Sequence, residues 1–93
     1  MNVDVPAASP YLQRVADLLA GVLALTDRVI SERAAWKASP TDWGLLLEVS
    51  SLTERVLPAE AATDPSSALA FLLLVRFSLE STLRTLGDTL DPN

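Results

Sequence analysis

The chain has 93 residues, a formal charge of −5, and neither cysteine nor histidine. Disulfides, thiolate nucleophiles, Cys/His zinc sites and histidine general bases are therefore excluded, and the negative field disfavours nucleic acid as a partner. Hydrophobic residues make up 49% of the chain, a large share for a length at which folding buries only about 60–65% of the unfolded chain's surface.

A third of the residues are Leu (18) or Ala (13), Ile occurs once, and aromatics are few. That mix favours helices over a β-sandwich, and the predicted class is all-α: three roughly antiparallel helices in one domain spanning 1–93. Residues 10–38 carry a net charge of +1, and residues 40–64 a net charge of −4, so the acidity is concentrated mid-chain. The first nine residues lack the basic segment and apolar run of a secretion signal. The longest unbroken apolar run, 68–75, is far below the roughly 20 residues a membrane span needs. A soluble cytoplasmic protein without membrane contact is the expectation, with flexible ends at 1–8 and 91–93.

Three helix starts share one device. Ser9-Pro10, Ser39-Pro40 and Asp64-Pro65 each set a capping oxygen before a proline at the first helical position. The oxygen accepts an orphan backbone N–H, and proline has no donor to leave unsatisfied there. Asp42, three residues after Ser39, approximates a capping box.

The first helix is predicted over 10–37. Tyr11, Val15, Leu18, Leu19, Val22, Leu25, Val29 and Ile30 share one face, with Arg28 and Glu32 among the residues opposite. Gly21 falls mid-helix, either simply tolerated or marking the close approach of another helix. Arg33 continues the line of Val22 and Val29, either as a cation favoured at a helix C-terminus or as an anion ligand at the mouth of the bundle. Trp36 and Trp43 flank the turn that follows, and pack over the corner unless one is an exposed contact anchor.

The second helix, 40–57, has a stripe of Leu45, Val49, Leu52 and Val56, which leaves Trp43, Leu46 and Leu47 outside it; Pro58 ends it. A seven-residue link follows. The third helix, 65–90, is amphipathic in its second half, through Leu79, Leu83, Leu86 and Leu90. Its first half is apolar all round: Leu69, Phe71, Leu72, Leu73, Leu74, Val75 and Phe77 cover every direction. Such a segment needs cover all round, and two neighbouring helices supply only part of it. Arg76, Glu80, Arg84 and Asp88 form a ladder of alternating charge, read as a solvated stripe or as a partly buried Arg76–Glu80 pair.

No catalytic constellation emerges. Ser and Thr lack a histidine, Lys37 is the only lysine, the three glycines make no phosphate loop, and no metal or other cofactor is implied. The expected role is a non-enzymatic interaction or oligomerisation module, such as an adaptor, inhibitor or scaffold component. A homodimer is the first expectation, another protein the second. The contact surface is drawn from Leu69, Phe71, Leu73, Leu74, Phe77, Trp43 and Leu47. A bundle binding a small apolar or acidic ligand, held by Arg33 or Arg76, is the first alternative.

The second alternative is an enzyme. The size and three-helix order resemble in outline the small all-helical chorismate mutases, intertwined dimers that hold a dicarboxylate with arginines. The resemblance implies that role for Arg14 and Arg28. This chain departs from the family in its short first helix, in a middle helix without the family's basic residue and Asp/Arg-rich stretch, and in a third helix without a matching glutamine.

Overall fold

The computed structural model describes residues 9–90, with side chains described from 10 to 87. It has three α-helices and, among the described residues, no strand: α1 (Ser9–Glu32), α2 (Pro40–Thr53) and α3 (Pro65–Leu90), with 3₁₀ turns at Arg33–Ala35 and Ala59–Ala62. The all-α class read from the Leu and Ala content is what the structure shows. The expected flexible ends, 1–8 and 91–93, lie outside the described residues, as do the side chains of Ser9, Asp88 and Leu90.

Two of the three expected caps are defined at side-chain level. The Ser39 hydroxyl accepts the Asp42 N–H at 3.0 Å while the Asp42 carboxylate accepts the Ser39 N–H at 3.0 Å, a closed capping box. At α3, Asp64 accepts the Ser66 N–H at 3.3 Å and the Ser67 hydroxyl at 2.9 Å. Each arrangement satisfies donors that the first helical turn leaves open.

The core is a seam between α1 and α3. Val15, Leu18, Val22, Leu25 and Val29 follow one another at alternating steps of three and four, and all are buried. Ala68, Leu72, Val75 and Leu79 repeat that spacing on α3, with Phe71 beside them. Alternating three and four is the spacing that keeps one helical face against a neighbour over many turns. Leu46 and Val49 of α2 close the seam on one side, and Trp36 closes its end.

Inter-helix contacts fix the chain's direction. Arg14 meets Glu48, Gly21 meets Leu45 and Arg28 meets Asp42, so α2 runs antiparallel to α1. One groove joins Ile30 and Arg33 to Pro65 and Leu69, and another joins Tyr11 to Thr85 and Leu86, so α3 is antiparallel to α1 as well. The second and third helices are therefore parallel to each other, which corrects the expectation of antiparallel neighbours throughout. The link is also longer than seven residues: 54–64 climb back along the bundle to begin α3. Eleven residues suffice, because α2 is only about 21 Å long and extended chain covers about 3.3 Å per residue. The Ala38 N–H bonds to the Ala62 carbonyl at 2.8 Å, tying the two connections together at one end, with Ala61 fully buried.

Both α1 and α2 stop short of the lengths read from the sequence. The first ends at Glu32 rather than 37, where Arg33 takes a left-handed backbone, φ 53°. Residues 33–39 are then all used for the reversal into α2. The second ends at Thr53 rather than 57, ahead of Pro58. Glu54 is left-handed, φ 57°, and the Ser50 carbonyl accepts N–H groups from both Glu54 and Arg55. The Ser50 hydroxyl donates to the Arg55 carbonyl at 2.5 Å. These bonds terminate the helix without the glycine that usually serves there. Val56, assigned to the stripe of α2, consequently lies in the link and is 89% exposed.

Candidate functional site

The all-round apolar segment of α3 resolves into two opposite stripes. Ala68, Phe71, Leu72, Val75 and Leu79 face inward. Ala70, Leu73, Leu74 and Phe77, spaced i, i+3, i+4, i+7, face away from the bundle. Leu73 and Phe77 are each 67% exposed and Leu74 51%, whereas Phe71 is 2% exposed. Phe71, taken from the sequence as a contact residue, is thus a core residue, because its place on the helix turns it towards the seam. Leu69 is half-buried against the core.

The remaining contact candidates, Trp43 and Leu47, lie on α2. Trp43 is half-buried and packs on the core, and Trp36 is fully buried, so the corner-packing reading of the two indoles is the one realised. The Trp36 indole N–H has no acceptor among the described residues. Leu47 is exposed, but α2 turns Asp42, Leu45 and Glu48 towards α1 and buries Leu46 and Val49. That leaves Leu47 exposed on α2.

The ladder on α3 is solvated. Arg76 Nε lies 3.1 Å from Glu80 Oε2, with the two side chains 46% and 39% exposed. The pair envisaged between Arg76 and Glu80 thus forms, at the surface rather than enclosed, and Asp88, the last rung, lies outside the described side chains. Exposed pairs one helical turn apart contribute only about 0.2–0.5 kcal/mol, so Arg76 and Glu80 act mainly as a neutral charged border to the apolar stripe.

Arg33 is exposed, and its side chain makes no ion pair among the described residues. It borders an open groove of about 530 Å³ between the end of α1 and the start of α3, with apolar walls from Val29, Ile30, Ala34, Pro65 and Leu69. Asp64 also lines the groove and is engaged in capping α3.

The strongest polar feature went unnoticed in the sequence. Arg28, placed there on the solvent face, holds the buried Asp42 with two parallel bonds, Nη1–Oδ1 at 2.8 Å and Nη2–Oδ2 at 2.9 Å. Asp42 thus serves the capping box and the helix-to-helix ion pair together. The Arg28 guanidinium holds the Asp42 carboxyl below the ordinary carboxylate range, with a lesser push upward from burial and help from the Ser39 N–H and hydroxyl. The available signal was the capping box itself, which fixes the Asp42 carboxylate opposite the last turns of α1. Arg14, meanwhile, pairs with Glu48 at 2.8 Å. Fourteen residues, about 21 Å of helix, separate Arg14 from Arg28, and each is engaged with its own carboxylate. They do not converge into the dicarboxylate site that the chorismate-mutase resemblance implies. No group of three carboxylates gathers to hold a metal ion among the described residues.

By length and composition alone, Pro65–Gly87 is long and apolar enough to cross a membrane, with mean hydropathy 1.3 over its best window. The two opposite stripes account for that value, one of them packed inside the bundle. Compared with known protein families, curated proteins and solved structures, the chain shows no match.

Proposed function

We propose that this protein is a non-enzymatic interaction module of the cytoplasm, whose contact surface is the outward stripe of α3. The observation that carries the reading is the exposure of Leu73, Leu74 and Phe77 side by side on one helix face. Together they present a few hundred Å² of apolar surface bordered by charge, the size and setting at which surface patches mark contact sites. An aromatic residue flanked by leucines also has the composition of an interface centre. Phe77→Glu places a charge at one end of the stripe, on its largest exposed side chain, without touching the core. The wild-type chain is expected to bind an apolar dye such as anilinonaphthalene sulfonate, or to associate, at about 50 μM, and the variant to do neither. A wild-type chain that stays monomeric and binds no dye would sink the proposal.

A second reading is favoured by one observation, Arg33 exposed beside an apolar groove with no ion pair among the described residues. An amphipathic acid would lay its chain along Ile30 and Leu69 and its carboxylate on the guanidinium. Native mass spectrometry of protein from its host should then show a bound acid that Arg33→Ala loses.

A further inference from the structure

We infer that the occupant of the outward stripe is a second copy of this chain, docked antiparallel along α3 about a two-fold axis between Leu73 and Leu74. The inference rests on the reading of that stripe as a contact surface and goes on to name the partner and the register. The stripe is symmetric about its own midpoint in the way an isologous contact requires. In this register Ala70, the small member of the set, lies opposite the partner's Phe77, and Leu73 lies opposite the partner's Leu74. The large ring enters the gap left by the small side chain, as ridges enter grooves when helix axes approach to about 8–10 Å.

Charge supports the same register. Between Ser66 and Ser81 the only charges beside the outward face are Arg76 and Glu80 at its edge, paired with each other. Antiparallel docking sets Ser66 opposite the partner's Ser81 and Glu80 opposite the partner's Ser67, so no like charges meet despite the chain's net charge of −5. Towards the ends, Arg84 faces the first turn of the other α3, where the partner's Asp64 stands exposed at the cap. Arg84 is exposed too, and opposite charges therefore meet twice, once at each end. A crossing of about 20° keeps these ends within reach of a long arginine side chain. Parallel docking would instead set Phe77 against the partner's Phe77 and Arg84 against the partner's Arg84.

Sedimentation equilibrium and engineered cross-links test partner and register separately. The wild-type chain should show twice the monomer mass at about 100 μM, and Phe77→Glu the monomer mass. The chain has no cysteine, so Ser66→Cys/Ser81→Cys places its only two thiols about 22 Å apart within one helix, too far for an internal disulfide. Mild oxidation should convert the double variant to a covalent dimer while each single variant stays unlinked. Arg84→Gln and Asp64→Asn, the latter keeping a capping side chain, should each weaken the dimer about two- to fivefold, and the double variant hardly further. A dimer abolished by Phe77→Glu but linked by a single-cysteine variant overturns the antiparallel register and leaves the contact surface standing. A monomer that binds dye, and loses it in Phe77→Glu, overturns the second copy alone. A monomer that binds no dye overturns both.

Discussion

On the side where α1 meets α2, each feature has a counterpart: Arg14 with Glu48, Arg28 with Asp42, and the missing side chain of Gly21 with Leu45. On the back of α3, three large apolar side chains have none among the described residues. The two sides differ in how they are held, since the closed side uses a few directional bonds and one close backbone approach, whereas the open side offers area without direction. Hydrophobic area is non-directional and favours any cover. Selectivity on the open side must then come from the pattern of small and large residues and from the charges at its rim.

The largest effect should separate the two faces of α3 itself. Leu72→Ala opens a cavity in the α1–α3 seam and should cost about 2–5 kcal/mol. One residue on, Leu73→Ala removes a side chain that touches little within the chain and should change stability by less than about 0.5 kcal/mol. Urea unfolding of both variants in a Phe77→Glu background, which removes any contribution from association, makes the comparison. Equal costs at the two positions would show that the outward stripe is covered within the single chain.

The closed side should respond to acid. The folded state holds the Asp42 carboxyl below its ordinary range, chiefly through Arg28. Its pKa being lower folded than unfolded, the stabilisation is complete above the unfolded value and is lost as pH falls through the folded one. Asp42→Ala also removes a cap, and should cost about 1–2 kcal/mol at neutral pH. Asp42→Asn keeps an acceptor but loses the charge, so its deficit relative to the wild type should shrink between about pH 5 and about pH 2. A deficit that holds steady over that range would mean that the pair with Arg28 contributes nothing to stability.

Local signals in the sequence carried the elements further than their arrangement. Ser39-Pro40 with Asp42, and Asp64-Pro65, mark helix starts because a cap is chemistry between residues two or three apart. The ends of α1 and α2 were illegible because Arg33 and Glu54 adopt a conformation usually left to glycine. No periodicity could tell which face of α3 looks inward, since Leu72 and Leu73 are the same residue and only the placement of α1 distinguishes them. The direction of α3 was hidden for a related reason: residues 54–64 form a crossover, and their composition resembles that of a short loop. The outward stripe lay within the segment 69–77 that the sequence singled out, but Phe71 could be separated from it only once the seam was known.

Glycines give the finest test of the closed side. Gly44 and Gly21 both sit inside helices with ordinary backbone, where alanine is preferred by about 1 kcal/mol. A Cβ at Gly44 would meet nothing within 4 Å, so Gly44→Ala should stabilise by about 0.5–1 kcal/mol. At Gly21 the added carbon would lie 3.2 Å from both Leu45 methyl carbons. Leu45 is only half-buried and its tip can shift a little, which offsets the helical gain without reversing it strongly; a net change within about 0.5 kcal/mol is expected. Shortening Leu45 should release the conflict, so Gly21→Ala made on top of Leu45→Ala should recover nearly the full stabilisation seen at Gly44. Equal gains at the two glycines in the wild-type background would mean that α1 and α2 yield freely where they touch. The closed side would then owe its position to the ion pairs rather than to close packing.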